Sequence, residues 1–490
     1  MGGDRLLNPG RTCWRVERAD QFAPIVDGAD YFRHCKAAML RAHRRIILIG
    51  WDFDTRIDFE KDGKTLPGPN QFGVFLSWLL WKRPSLEVYL LKSNLRLLSA
   101  FDDLWYGIAP VSLLNRLSTK RLHFAVDGAH PIGSVHHQKI VVVDDVIAFC
   151  GGIDLTLERW DTPEHLPDSR FRRELRRSYG PRHEVAAVVD GTAAEALGEL
   201  ARARWHTATG QSLKPVEVSH LAWPSGLEPS LRDVDVGIAR TLPELDERSE
   251  IREVEALNLA AIAAARHTIY LENQYLASRT LADALARRLK EPDGPQIVII
   301  LPRNSESLLE EHSMDSARYL LLQMLWAADQ HQKLGVYWPE DDGGTPIYVH
   351  SKILVTDDRL LRIGSSNLNN RSMGFDSECD LALEADPDTC EHDEIRDVIT
   401  SLRNQLVCEH LGSSLEDFEG AVQQHGSFLN AIDALRGTGR TLRQFTEDTI
   451  ANEASLLAEN DLMDPDHVPR SLTRSVQRWL EGLTKRPPTP

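Results

Sequence analysis

One polar pattern is spelled twice in this chain, and it constrains the fold more than any other feature. "SVHHQKIVVVDD" (134–145) and "YVHSKILVTDD" (348–358) share a His, a Lys two residues on, and an Asp five residues after that. The two sets are His137, Lys139, Asp144 and His350, Lys352, Asp357. In each copy the Lys leads into four residues of strand-forming type, IVVV or ILVT. Side chains on a strand alternate, so a His and a Lys two apart share a face, and His136 points the other way from His137. Chance yields such a pattern on the order of a few hundredths of a time in a chain of this length. Two copies with matching flanks therefore argue for a duplicated unit.

The flanks do match. "DYFRHCKAAMLRAHRRIILIGWDFD" (30–54) places Tyr31, Phe32, Cys35, Met39 and Ala42 at helical spacing before the apolar run Ile46–Ile49, and "VEALNLAAIAAARHTIYLENQYL" (254–276) repeats that order. "LEVYLLKSN" (86–94) answers "PQIVIILPRNSE" (295–306), and "RLHFAVDG" (121–128) answers "LGVYWPEDDG" (334–343). After the motifs, "IAFCGGIDL" (147–155) pairs with "LLRIGSSNL" (360–368), and "RHEVAAVV" (182–189) with "SECDLALE" (377–384). Alternating helices and strands predict an α/β fold of two repeated α/β/α lobes with pseudo-twofold symmetry, one sheet per half, plus a helical C-terminal tail. The expected divisions are a first lobe at 1–211, a linker at 212–233, a second lobe at 234–412 and a mainly helical extension at 413–490. Gly412 reads as a helix C-cap, and Ser413 with Glu416 as a capping box opening the next helix.

Imidazole titrates near neutrality and can act as nucleophile or acid, and an ammonium neutralises a phosphate oxygen. Twofold-related copies would gather His137, Lys139, His350 and Lys352 around one phosphorus, with one His attacking while the other protonates the leaving oxygen. Asp144 and Asp357 fall an odd number of residues after their His and are expected to hold the strand end instead. The small residues Gly151, Gly152, Gly364, Ser365 and Ser366 suit a loop whose backbone approaches a ligand closely. Gly152, Asp154, Ser365 and Asn367 are thus phosphate-binding candidates, although an ionised Asp154 cannot donate as Asn367 can. Glu184 and Glu378 occupy matching positions and are candidate acceptors behind the imidazoles.

A formal charge of −17 opposes a polyanionic partner, so nucleic acid is not expected. No window reaches 18 consecutive apolar residues and the opening lacks a signal-peptide core, which predicts no transmembrane segment and a cytoplasmic protein. The six cysteines show no CxxC spacing, so neither a disulfide framework nor a metal site is expected. The segment 101–117, with Leu104, Trp105, Tyr106 and Leu113, is either an interfacial patch or a core helix. Arg44, Arg45 and the run at 171–177 offer local positive charge.

The paired HxKxxxxD motifs, with "GGIDLTLERWD" (151–161), "YLENQYL" (270–276) and "GSSNLNNRSMGFDSE" (364–378), resemble the phospholipase D superfamily over about residues 10–412. The last three stretches look like its lipid-cleaving branch. The resemblance implies a bilobal fold and two-step phosphodiester chemistry needing no metal or other cofactor. It assigns His137 as the nucleophile that forms a phosphohistidine, His350 as general acid, and Lys139, Lys352 and Asn367 as the phosphate clamp. Gly152 and Asp154 depart from the Ser and Asn that often stand there. The implied activity is hydrolysis of phosphatidylcholine or phosphatidylethanolamine to phosphatidate and an alcohol, or transphosphatidylation when an alcohol replaces water. A cardiolipin synthase-type transferase, a phosphodiesterase or nuclease, and a non-catalytic lipid-binding protein are the alternatives. With both motifs in one chain, a monomer working peripherally on phospholipid, at the inner membrane face, is expected.

Overall fold

The computed structural model describes residues 5–94, 118–174, 177–217, 220–245, 248–306, 314–389, 391–450 and 464–465, together with 104–105, 109–110 and 115. The segment 101–117 considered for a lipid interface thus falls outside the described residues, apart from the isolated positions just named.

Two 12-residue strands, β1 (Arg15–Val26) and β8 (Leu231–Leu242), lie at the centre of the molecule and pair antiparallel, with Ala19 opposite Val234. From β1 outward the chain lays down β7 (Val185–Asp190), β6 (Ile147–Gly151), β5 (Ile140–Val143), β2 (Arg45–Gly50), β3 (Glu87–Ser93) and β4 (Leu122–Asp127). From β8 outward it repeats that order with β14 (Glu378–Glu384), β13 (Leu360–Gly364), β12 (Ile353–Thr356), β9 (Thr268–Glu272), β10 (Gln296–Ile300) and β11 (Leu334–Glu340). The pairing directions repeat too: β2 with β3 and β9 with β10 are parallel, and β5 with β6 and β12 with β13 antiparallel. A pseudo-twofold axis therefore passes between β1 and β8.

The expectation of one sheet per half is corrected: a single sheet runs through both halves. Its cause is local. Each half ends its inner edge with a long strand whose unpaired N–H and C=O groups need a partner, and the other half's copy supplies it. Leu231, where β8 begins, also falls inside the stretch read as linker.

Strand alternation sorts the core into layers. Ile46 and Leu48 point to the outer layer with Phe32, Phe75 and Leu79, whereas Ile47 and Ile49 point to the inner layer with Leu197 and Ala201. In the second half Ile269 and Leu271 pack with Leu257 and Leu285, while Tyr270 faces Ile399 and Leu402. Helices on both faces explain why these strands are apolar without interruption.

Gly412 ends the helix His392–Leu411 in a left-handed conformation (φ 63°), but the next N-cap is Ser414, not Ser413. Its hydroxyl accepts from the Asp417 N–H at 3.1 Å, so the cap lies one residue beyond the expected box. The extension also contains a strand, β15 (Thr441–Gln444), antiparallel to β11 at the sheet edge. Among the described residues no helix is long and apolar enough to cross a membrane.

Candidate active site

The regular ladder of β5 starts at Ile140 and that of β12 at Ile353, so both His-x-Lys stretches are extended lead-ins just before a strand. These lead-ins pair across the twofold axis. The His137 N–H donates to the Ser377 carbonyl at 2.9 Å, and the His350 N–H to the His183 carbonyl at 2.9 Å. Each motif is thereby laid beside the stretch that precedes the other half's glutamate.

The result is a crossed pair of contacts. His137 Nδ1 lies 3.1 Å from both carboxylate oxygens of Glu378, and His350 Nδ1 lies 2.9 Å from Glu184 Oε2. Each imidazole is held by a carboxylate from the opposite half. With Nδ1 so engaged, Nε2 is left as the atom that can attack or donate. The neighbouring His136 turns away, with Nδ1 2.7 Å from Ser377 Oγ and Nε2 3.2 Å from Asp127.

The lysines differ. Lys139 Nζ sits 2.9 Å from Asp154 Oδ2, whereas Lys352 Nζ donates to the Gln274 amide oxygen at 3.3 Å and to the His350 carbonyl at 2.5 Å. The motif aspartates cap strand starts. Asp144 accepts from the N–H groups of His43, Arg44 and Arg45 at 2.5 to 2.8 Å, and Asp357 from those of Arg266, His267 and Thr268 at 2.7 to 2.9 Å. Both sit in left-handed turns, at φ 53° and 55°.

Three of the four phosphate candidates are committed elsewhere. Ser365 donates its hydroxyl to Glu378, so it braces the carboxylate behind His137. Asp154 spends one oxygen on Lys139 and the other on the Trp51 N–H at 2.9 Å; a carboxylate there would repel phosphate. Gly152 donates its N–H to the Val185 carbonyl at 3.2 Å. It supplies space instead: a Cβ there would lie 3.2 Å from the His350 carbonyl and 3.3 Å from Lys352 Cδ. Asn367 keeps a buried amide oxygen without a hydrogen-bond partner.

Burial pushes the Glu378 carboxyl up to about 8, against the hydroxyls of Ser365 and Ser372. It pushes Glu184 up to about 7, opposed chiefly by Arg159 and Arg182. Both imidazoles are held well below their usual value by burial first and then by lysine ammoniums: Lys139 and Lys352 for His137, Lys352 for His350, with Arg159 and Arg182 adding to the latter. The four motif side chains thus feel one another's charge and form one site, in which an anionic phosphodiester would relieve the crowding of positive groups.

Arg159, Arg182, Ser372 and Gln274 escaped the sequence reading. Arg182 had a signal, because it stands two residues before Glu184 on the same face of an extended stretch. Ser372, whose hydroxyl donates to Glu378 at 2.7 Å from a helical turn, had none.

Comparison with known proteins shows what a chain with these two symmetry-related His-Lys pairs is similar to. Family models described as "Cardiolipin synthase, PLD-like domain" and "Phospholipase D" match residues 259–397 and 341–457. Phospholipase D2 of Bos taurus is 23% identical over 76% of this chain and 51% of its own length. Phospholipase D1 of Schizosaccharomyces pombe is 22% identical over 84% of this chain and 37% of its own, and phospholipase D alpha 1 of Nicotiana tabacum 24% over 81% and 67%. The chain therefore spans about half the length of the first of these relatives and less of the second. A phosphatidylserine synthase of Haemophilus influenzae Rd KW20 shares the fold, with a TM-score of 0.55 at 15% identity over 79% of this chain and 88% of that one. The family models and these relatives support membership of the phospholipase D superfamily.

Proposed function

We propose that this chain is a phospholipase D that cleaves the head-group phosphodiester of phosphatidylcholine or phosphatidylethanolamine. The crossed pairs His137–Glu378 and His350–Glu184 carry the reading, since they give each imidazole a fixed tautomer with a reactive Nε2. In the first step His137 Nε2 attacks phosphorus, the bond to the head-group oxygen breaks, and His350 gives that oxygen its proton. A phosphatidyl-histidine and a free alcohol result. In the second step His350 takes a proton from water, the water oxygen attacks phosphorus, and the P–N bond breaks to release phosphatidate. Lys139, Lys352 and the Asn367 amide hold the non-bridging oxygens as charge builds on them.

Arg159 and Arg182 beside His350 make its imidazolium the stronger acid, which suits donation to a departing alkoxide. The bound phosphodiester anion offsets the same cations and allows His350 to enter the cycle protonated. The family model described as a cardiolipin synthase favours a second outcome of the same chemistry, in which an alcohol discharges the intermediate and the product is a new phosphodiester.

In this proposal residues 1–211 and 231–412 act as two lobes of one monomer joined through 212–230, with residues 413–490 as an extension. The protein works peripherally on a phospholipid surface, at the cytoplasmic face. The free, buried thiols Cys13, Cys35, Cys150, Cys379 and Cys408 support a reducing compartment.

The test is release of choline, ethanolamine and glycerol from defined phospholipid vesicles, with single-stranded DNA as competing substrate. Head-group release that falls at least about 10⁴-fold in His137→Ala is expected. DNA cleavage without lipid cleavage would overturn the proposal.

A further inference from the structure

Directly behind the Glu184–His350 contact lies a buried group of side chains that the phosphodiester chemistry does not use. Asp27, His165, His183 and Glu409 each turn one ligand-type atom to a common point, all within 4.8 Å of one another. They come from four places in the chain: the end of β1, the loop after "ERWD", the stretch before Glu184, and the helix His392–Leu411.

We propose that these four residues form a binding site for a divalent transition metal, zinc foremost, that braces the Glu184 side of the active site. Four contacts within the ligand set are short. His183 Nδ1–Glu409 Oε1 is 2.7 Å, His165 Nε2–Glu409 Oε1 3.1 Å, His183 Nδ1–Asp27 Oδ1 3.4 Å and, to the other oxygen of that carboxylate, His165 Nε2–Asp27 Oδ2 3.7 Å. A tetrahedron with metal–ligand bonds of about 2.0 Å has edges of about 3.3 Å, inside this range.

The outer contacts are those a ligating histidine requires. The second nitrogen of His165 meets Asp161 at 3.0 Å, and that of His183 meets Glu272 at 2.9 Å. Such carboxylates fix the tautomer and turn the other nitrogen's lone pair to the metal. An independent sign is Asp27 Oδ2, an oxygen of a fully buried side chain that has no hydrogen-bond partner and faces the cluster. Two imidazole nitrogens select zinc and its neighbours over calcium or magnesium.

The link to the reaction site is backbone and short. Asp27 exchanges hydrogen bonds with Glu184, its N–H donating to the Glu184 carbonyl at 2.7 Å and its Oδ1 accepting the Glu184 N–H at 3.0 Å. His183 is the residue before Glu184, and its carbonyl holds the His350 N–H. A metal at this point would thus be a positioning element that never touches substrate.

The full chain, produced in zinc-supplemented medium and purified without chelators or metal-affinity resin, is unfolded in guanidinium with a chromophoric chelator. About one zinc per chain is expected from wild type, and under about a tenth of that from His165→Gln and Glu409→Gln. Cobalt in place of zinc should give the strong visible bands of a four-coordinate ion. Should His165→Gln fail to fold by circular dichroism, Glu409→Gln, at the edge of the cluster, takes its place. Should both fail, the wild-type cobalt spectrum and a zinc-dependent rise in melting temperature decide. A metal-free wild type with neither signal overturns the proposal, as does equal zinc in wild type and folded variants. Head-group release by a metal-free wild type would leave the phosphodiester reading standing while removing this one.

Discussion

The two halves share one strand order, yet each dresses its His-Lys pair differently. In the first half Lys139 is tied to a carboxylate, Asp154; in the second Lys352 meets a neutral amide, Gln274. The glutamates diverge in the opposite sense. Glu184 lies near two guanidiniums, Arg159 Nε at 3.5 Å and Arg182 Nη1 at 3.9 Å, whereas Glu378 is held by the hydroxyls of Ser365 and Ser372. Duplication thus supplies a pair of imidazoles at equivalent places, and the neighbours make them unequal. An in-line displacement needs this inequality, because one side must present a nucleophile while the other presents an acid.

The largest expected effect on the two halves comes from the glutamates. Glu378→Gln removes the carboxylate behind His137 and Glu184→Gln the one behind His350; each is expected to lower kcat by roughly 10²- to 10⁴-fold, as when a triad carboxylate is lost. The two should differ in kind. A lipid whose leaving group needs no proton should restore much of the rate in Glu184→Gln and little in Glu378→Gln. Equal rescue would mean that the two imidazoles are interchangeable.

A smaller effect concerns stability. Glu378 is raised from 4.5 to about 8 by burial, so the folded state holds its proton more tightly than the unfolded state does. Its contribution is fully present below about pH 4.5 and is lost as pH rises toward 8. Wild type should therefore melt progressively lower between pH 5 and 8, and Glu378→Gln, which has no proton to lose, should show a flatter profile with the advantage at pH 8. Parallel profiles in differential scanning calorimetry would refute this view of the first imidazole's partner.

Much of this arrangement was legible in the residues, for reasons that also mark its limits. Period-two alternation separates His137 from His136, and repeat alignment singles out Glu184 and Glu378. Alignment cannot tell which glutamate serves which histidine, because both lead-ins have the same local pattern and only the pairing across the axis crosses them. Ser365 and Gly152 read as phosphate residues because small residues suit close approach to a ligand. In the fold that closeness is used on Glu378 and on the His350–Lys352 backbone instead. The cluster of Asp27, His165, His183 and Glu409 left no spacing signature at all, since its members are up to 382 residues apart in the chain. Metal sites read from sequence depend on short ligand spacings, which is why none was expected.

In the proposed mechanism one phosphodiester is handled by two unequal imidazoles, with His137 as the nucleophile. That mechanism is tested most directly by quenching the enzyme during turnover of a phospholipid labelled at phosphorus and mapping the labelled peptide. An acid-labile label on His137 is expected, one that accumulates in His350→Ala given a substrate with a good leaving group and vanishes in His137→Ala. A label on His350, or one that persists in His137→Ala, would contradict the mechanism.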